Sequence, residues 1–138
     1  MNDLPLPYIN EVASQVIFVS TFLGGFAATI MGTFVASEKN SKLSNTLIIL
    51  SAISACLLIT TVFMMTDVVI KTTPGCPVKV LSADLDFQVK YGMLSFLFGI
   101  TFLISVIAVS GWLKSKKMGI ATTLTGIITL IFVGLILT

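Results

Sequence analysis

The sequence predicts an all-α integral membrane protein with four transmembrane helices arranged as two antiparallel hairpins. Of its 138 residues, 56% are hydrophobic and only 10% are charged, which is more apolar surface than a water-soluble domain of this size buries. Four apolar runs each supply the roughly 20 residues that a helix needs to cross a bilayer. They form a single domain, 1–138, and lie at about 12–37, 43–70, 87–113 and 118–137.

The connections between the runs predict the hairpins. Residues 38–42 (EKNSK) and 114–117 (KSKK) are short and polar, so the helices that each of them joins are expected to lie side by side and antiparallel. Residues 72–86 form the only sizeable loop. The segment before the first run has no lysine, and that run is too long for a cleavable signal peptide. We therefore expect the first helix to be retained.

The lysines predict the orientation in the membrane. Five lie in the two short connections, and three lie toward the other side of the membrane. The first group is Lys39, Lys42, Lys114, Lys116 and Lys117, and the second is Lys71, Lys79 and Lys90. Because lysine is enriched on the cytoplasmic side, we expect both termini and the 72–86 loop to lie outside. The membrane is expected to be a plasma or inner membrane.

The side-chain inventory argues against catalysis. All eight basic residues are lysines and histidine is absent, so the chain has no imidazole base and no bidentate clamp for phosphate. It contains no glycine-rich phosphate loop and no spaced set of metal ligands. We predict a protein that is not an enzyme, has no cofactor or metal and binds no nucleic acid. The expected partners are the lipid bilayer and either further copies of the chain or other membrane subunits.

The first helix sorts its residues by size. Small side chains recur at steps of four and predict a helix-packing ridge made of Ser20, Gly24, Ala28, Gly32 and Ala36. A bulky ridge lies roughly opposite and contains Phe18, Phe22, Phe26, Ile30 and Phe34. By size alone, we expect the glycines and alanines to make the tightest helix contact. A ridge of this kind indicates close packing and does not identify the partner.

Two acidic residues flank the first helix and have two interpretations. Glu11 is expected in the first turn, near the positive end of the helix dipole, with Asn10 or Ser14 as the cap. Alternatively, Glu11 or Glu38 forms a ring of carboxylates at the mouth of an oligomeric pore.

Asp67 is the one acidic residue inside an apolar run. An ionisable group in a membrane segment is a candidate functional site. Lys71 follows four residues later, however, and this spacing favours an ion pair near the interface.

The two cysteines are not expected to pair, because Cys56 lies in the middle of a helix and Cys76 lies in the loop. A free thiol is favoured for Cys76. An acylated thiol and an intersubunit disulfide remain alternatives.

Two non-catalytic functions fit these features. One is a homo-oligomeric ion channel or pore in which the first helix lines or surrounds the axis. The other is an accessory or assembly subunit of a larger membrane complex, with the small ridge docked on a partner. A small-substrate transporter is less favoured, because the apolar runs lack an intramembrane charge pair.

Residues 20–31, STFLGGFAATIM, resemble the pore-helix stretch of the Orai family of calcium-release-activated calcium channels. A serine, a leucine, the tripeptide Gly-Phe-Ala and a methionine occur in that family with the same spacing. The resemblance implies a hexamer with the first helix around the pore. It implies a pore face made of Phe22, Phe26, Thr29 and Thr33. Thr33 stands where the family has its selectivity glutamate, and Phe18 stands where it has a basic residue, so calcium selectivity is not implied.

Overall fold

A computed structural model describes residues 5–37, 41–75 and 82–136 of the chain. These residues form four α-helices and no β-strand. The helices are α1 (Leu6–Val35), α2 (Lys42–Thr72), α3 (Ser82–Ser110) and α4 (Lys116–Ile136), and a 3₁₀ turn, Gly111–Leu113, follows α3 directly. Each helix contains a stretch long and apolar enough to cross a membrane. The prediction of an all-helical protein with four candidate membrane spans is confirmed.

The first helix begins six residues before the predicted start at residue 12. Its N-cap is Pro5, which has an extended backbone with φ −63° and ψ 136°, and Pro7 occupies the first turn. Proline suits this place because its fixed φ matches the helix and its missing N–H has no helical partner there. The two prolines therefore start the helix, and a boundary predicted from the apolar run alone falls six residues too late.

The predicted caps of α1 are wrong for the same reason. Asn10 and Ser14 both lie inside the helix, and the Ser14 hydroxyl donates a hydrogen bond to the Asn10 carbonyl oxygen at 2.9 Å. The first turn of α1 contains no acidic residue, so Glu11 does not lie at the positive end of the helix dipole. In α2, the cap is Ser41, whose side chain accepts a hydrogen bond from the Ser44 N–H at 3.1 Å.

The centre of the fold is α2, which packs against α1 on one side and α3 on the other. Two apolar clusters fill the space between these three helices. The first joins the beginning of α1, the end of α2 and the beginning of α3, and contains Ala13, Val16, Met65, Val68 and Val89. The second joins the other halves of the three helices through Ala27, Ala55 and Leu103.

The fourth helix packs mainly against α3 and the 3₁₀ turn. Gly119 lies under the Trp112 ring, where a Cβ atom would come within 2.5 Å of the ring carbons. The Trp112 indole N–H donates to the Thr123 hydroxyl at 3.0 Å, and the Thr122 hydroxyl donates to the Ala108 carbonyl at 2.8 Å. Most of the described side chains of α4 are exposed.

Candidate helix-packing and pore-lining surfaces

The inner face of α1 packs on α2 through small residues. Its buried residues are Ala13, Val16, Ser20, Gly24 and Ala27. A Cβ atom on Gly24 would lie 3.4 Å from the Leu58 Cβ, which is close contact without overlap. The inner face therefore contains Ser20 and Gly24, two members of the predicted ridge.

The other three members of that ridge do not lie on this face. Ala28, Gly32 and Ala36 are exposed, and a Cβ atom on Gly32 would meet nothing within 4 Å. An α-helix turns about 100° per residue, so each four-residue step overshoots a full turn by about 40° and four steps overshoot by about 160°. A ridge of such steps winds around the helix. The buried residues combine steps of three with steps of four, which keeps them on one side.

The residues predicted to line a pore lie together on the outer face of α1. Phe22 is 71% exposed and Phe26 is 49% exposed, and Phe18 on the same side is 76% exposed. Thr29 and Thr33 are also exposed, and each donates its hydroxyl hydrogen to the carbonyl four residues earlier, at 2.9 Å. Each hydroxyl oxygen retains lone pairs that can accept a hydrogen bond from water or a partner.

Of the two acids predicted at a pore mouth, only Glu11 belongs to the described part of the chain. It is exposed, and its carboxylate accepts a hydrogen bond at 3.5 Å from the Gln15 amide on the next turn. Glu38 lies outside the described residues, as does Cys76, so the predictions for these two residues are unchanged.

Asp67 lies near the end of α2 and has two partners. Its carboxylate forms an ion pair with the Lys71 ammonium group at 2.7 Å, which confirms the predicted pair. The Gln88 side-chain amide on α3 donates to the same carboxylate oxygen. This second contact could not be predicted from the sequence, because it joins residues that only the packing of α2 on α3 brings together.

The contact between α2 and α3 is tighter than any that the glycines of α1 make, whereas sequence reasoning assigned the tightest helix contact to α1. A Cβ atom on Gly99 would lie 2.8 Å from the Leu58 Cγ, and one on Gly92 would lie 2.6 Å from the Met65 methyl group. The glycine carbonyls also serve as acceptors. The Ser54 hydroxyl donates to the Gly99 carbonyl at 2.8 Å, which close approach of the two backbones makes possible.

Further hydroxyl groups extend the α2–α3 contact along its length. Ser95 on α3 donates to the Leu57 carbonyl on α2 at 2.8 Å. Thr61 on α2 lies 3.4 Å from the Gly92 carbonyl on α3. Ser20 provides a contrast, because its hydroxyl is fully buried between α1 and α2 and has no hydrogen-bond partner among the described residues.

Sequence reasoning also missed the role of Asn10. Its side-chain amide donates to the Val69 carbonyl at 3.1 Å and to the Thr72 hydroxyl at 2.9 Å. These bonds tie the beginning of α1 to the last turn of α2. The available signal was a polar side chain just before the apolar run, a position that also suits a helix cap.

The described residues offer no metal site, since no group of three or more histidine, cysteine, aspartate or glutamate side chains comes together in them. Comparison of the whole chain with family models, curated proteins and solved structures finds no match. The pore architecture of the Orai family therefore stays a prediction for this chain, carried by residues 20–31 alone.

Proposed function

We propose that this protein is a small, self-associating multi-pass membrane protein that forms a homo-oligomeric ion channel or pore around the outer face of α1. The observation that carries this proposal is the exposure of that face. Phe22, Phe26, Thr29 and Thr33 lie together on it and contact no other helix closely enough to be buried. Apolar constrictions gate pores by excluding water, and hydroxyl oxygens can accept hydrogen bonds from water.

The packing inside one chain supports an oligomer. The two apolar clusters fill the interior between α1, α2 and α3 with side chains, so a water path through that interior would have to displace the core. A pore built from several chains needs no such change. The small residues Ala28 and Gly32, which are exposed in the single chain, would allow neighbouring α1 helices to approach closely.

The proposed topology is two antiparallel hairpins inserted in a plasma or inner membrane. In the first apolar cluster, the start of α1 and the start of α3 both lie beside the end of α2. This arrangement supports an antiparallel orientation of α2 relative to α1 and to α3. The lysine distribution supports placing both termini and the 72–86 loop outside.

The first test measures assembly. Native mass spectrometry of the protein in nanodiscs is expected to give a closed homo-oligomer, and Gly32→Leu is expected to reduce it to monomer because the larger side chain keeps the helices apart. Gly32 has open space around it within the chain, so the fold of the single chain is not at risk. The matched control is Ala121→Leu on the exposed side of α4, which is expected to leave the oligomer intact.

The second test locates the pore. In vesicles that contain a variant without Cys56 and Cys76, Thr33→Cys is expected to make conductance sensitive to a charged, membrane-impermeant thiol reagent, whereas Ala121→Cys is not. A monomeric wild type without conductance contradicts the proposal. Co-purification with unrelated membrane subunits would instead favour the alternative of a non-catalytic accessory or assembly subunit, with the outer face of α1 as its docking surface.

A further inference from the structure

Three hollows that share lining residues follow the first half of α3. The first, of about 210 Å³, lies between α1, α2 and α3 and has apolar walls that include Val12, Met65 and Met93. The second, of about 480 Å³, shares Val89 and Met93 with it and continues along α3. The third, of about 520 Å³, shares Lys90 with the second. Together they make a surface groove that is mainly apolar in its first two parts and charged in its third.

The third hollow combines charges of both signs with aromatic rings. Its walls are Asp86, Phe87, Lys90 and Tyr91, all of them exposed. The Phe87 and Tyr91 rings stack at a tilt, with centroids 4.3 Å apart. Asp86 and Lys90 are one helical turn apart, yet neither forms an ion pair with a described residue. One carboxylate and one ammonium group are thus left open to a ligand.

The hollows lie at one end of the three-helix core. The first is formed by the beginnings of α1 and α3 and the end of α2, and the other two lie on the surface of α3 and are lined by its residues alone. In a chain inserted across a bilayer, such a position is where lipid headgroups meet the first methylene groups of the acyl chains. Tyr8 and Tyr91, which line the first and third hollows, are of the residue type enriched at that depth.

We propose that this groove binds a zwitterionic phospholipid with an ammonium headgroup. The acyl chain lies along the apolar walls of the first two hollows. The phosphate pairs with Lys90, and the headgroup ammonium lies between Asp86 and the faces of the two aromatic rings. A phospholipid without an ammonium group would leave Asp86 facing the phosphate, so the pair of charges discriminates between headgroups. The proposal requires membrane insertion and does not depend on pore formation.

The test is lipid retention after release from nanodiscs made of equal parts phosphatidylethanolamine and phosphatidylglycerol with the same acyl chains, measured by native mass spectrometry. The wild-type protein is expected to retain phosphatidylethanolamine in preference to phosphatidylglycerol. Lys90→Gln is expected to lower retention of both lipids about fivefold, and Asp86→Asn is expected to abolish the preference while phosphatidylglycerol stays bound. Lys114→Gln, after the 3₁₀ turn at the far end of α3, is the charge control and is expected to change neither quantity.

The binding of the lipid acyl chain is tested separately with Leu94→Trp. Leu94 lines the second hollow and is 47% exposed, so a larger side chain narrows the groove without entering the core. This variant is expected to lower retention of both lipids and to keep the headgroup preference, whereas Leu124→Trp on α4 changes nothing. Equal retention of the two lipids by the wild-type protein, or unchanged retention in Lys90→Gln, would overturn the proposal. Loss of the oligomer with normal lipid retention would contradict only the pore.

Discussion

The α2–α3 contact and the outer face of α1 contain the same kinds of residues in different surroundings. In the α2–α3 contact, Gly99 lies against Leu58 and its carbonyl accepts the Ser54 hydroxyl. On the outer face of α1, Gly25 and Gly32 have open space where a side chain would be. Glycine permits close approach of another helix in both places, but a helix of the same chain packs closely only against Gly99.

The difference shows which features decide whether a surface of small residues packs against another helix of the same chain. Between membrane helices, packing and interhelical hydrogen bonds drive association, since the surrounding lipid is as apolar as the side chains. Two serine hydroxyls reach carbonyl groups across the α2–α3 contact. On the outer face of α1 the exposed threonines bond to their own helix. That face is therefore free for a neighbour outside the chain.

The largest expected effect comes from filling the tight contact. Gly99→Val places new carbon atoms where a Cβ alone would lie 2.8 Å from the Leu58 Cγ, and Leu58 is fully buried. We expect a loss of about 1–3 kcal/mol in the free energy of unfolding, the usual cost of overpacking a core. Unfolding by dodecyl sulfate in mixed micelles, followed by far-ultraviolet circular dichroism, measures it.

Gly25→Val is the matched control, because the same substitution on the outer face of α1 meets nothing within 4 Å. Its unfolding free energy in the monomeric state is expected to equal that of the wild type within about 0.5 kcal/mol. Equal losses of unfolding free energy in Gly99→Val and Gly25→Val would show that the α2–α3 contact is no more tightly packed than the outer face of α1.

The sequence predicted those parts of the fold that depend on local features. Apolar run length identified the four helices, and the spacing of Asp67 and Lys71 identified their ion pair. The contacts of Gln88 and Asn10 depend on which residues neighbouring helices bring opposite them, and no periodicity within one helix contains that information. For the same reason, the small ridge predicted packing in α1 and could not show that only Ser20 and Gly24 face α2.

An intermediate effect is expected at the end of the α2–α3 contact. Asp67→Leu removes the acceptor of both Lys71 and Gln88. Leaving the partly buried Gln88 amide without its partner is expected to cost about 1–2 kcal/mol. Asp67→Asn keeps an oxygen for the Gln88 amide and loses only an ion pair at the helix surface, so its expected cost is below about 1 kcal/mol.

The same unfolding assay measures both Asp67 variants. Equal losses of unfolding free energy in the two variants would show that the effect comes from the ion pair with Lys71. The contact between Asp67 and Gln88 on α3 would then contribute nothing measurable. Neither variant is expected to change the oligomer, because Asp67 lies away from the outer face of α1.

The smallest expected effect compares two buried serines. The Ser54 hydroxyl bonds to the Gly99 carbonyl on α3, whereas the Ser20 hydroxyl, equally buried, has no partner among the described residues. Ser54→Ala is expected to cost about 0.6 kcal/mol, the average for an interhelical hydrogen bond in a membrane protein. Ser20→Ala removes a buried polar group that forms no bond, so it is expected to be neutral or slightly stabilising.

The two alanine variants differ from the wild type by the same single oxygen atom, which makes their difference informative even though each effect is small. A loss of unfolding free energy in Ser54→Ala with none in Ser20→Ala would show that the hydrogen bond between α2 and α3 stabilises the fold. A loss at Ser20 equal to that at Ser54 would mean that the Ser20 hydroxyl has a partner in the folded protein. The inner face of α1 would then have an energetically significant hydrogen bond of its own, and hydrogen bonding would no longer set the α2–α3 contact apart.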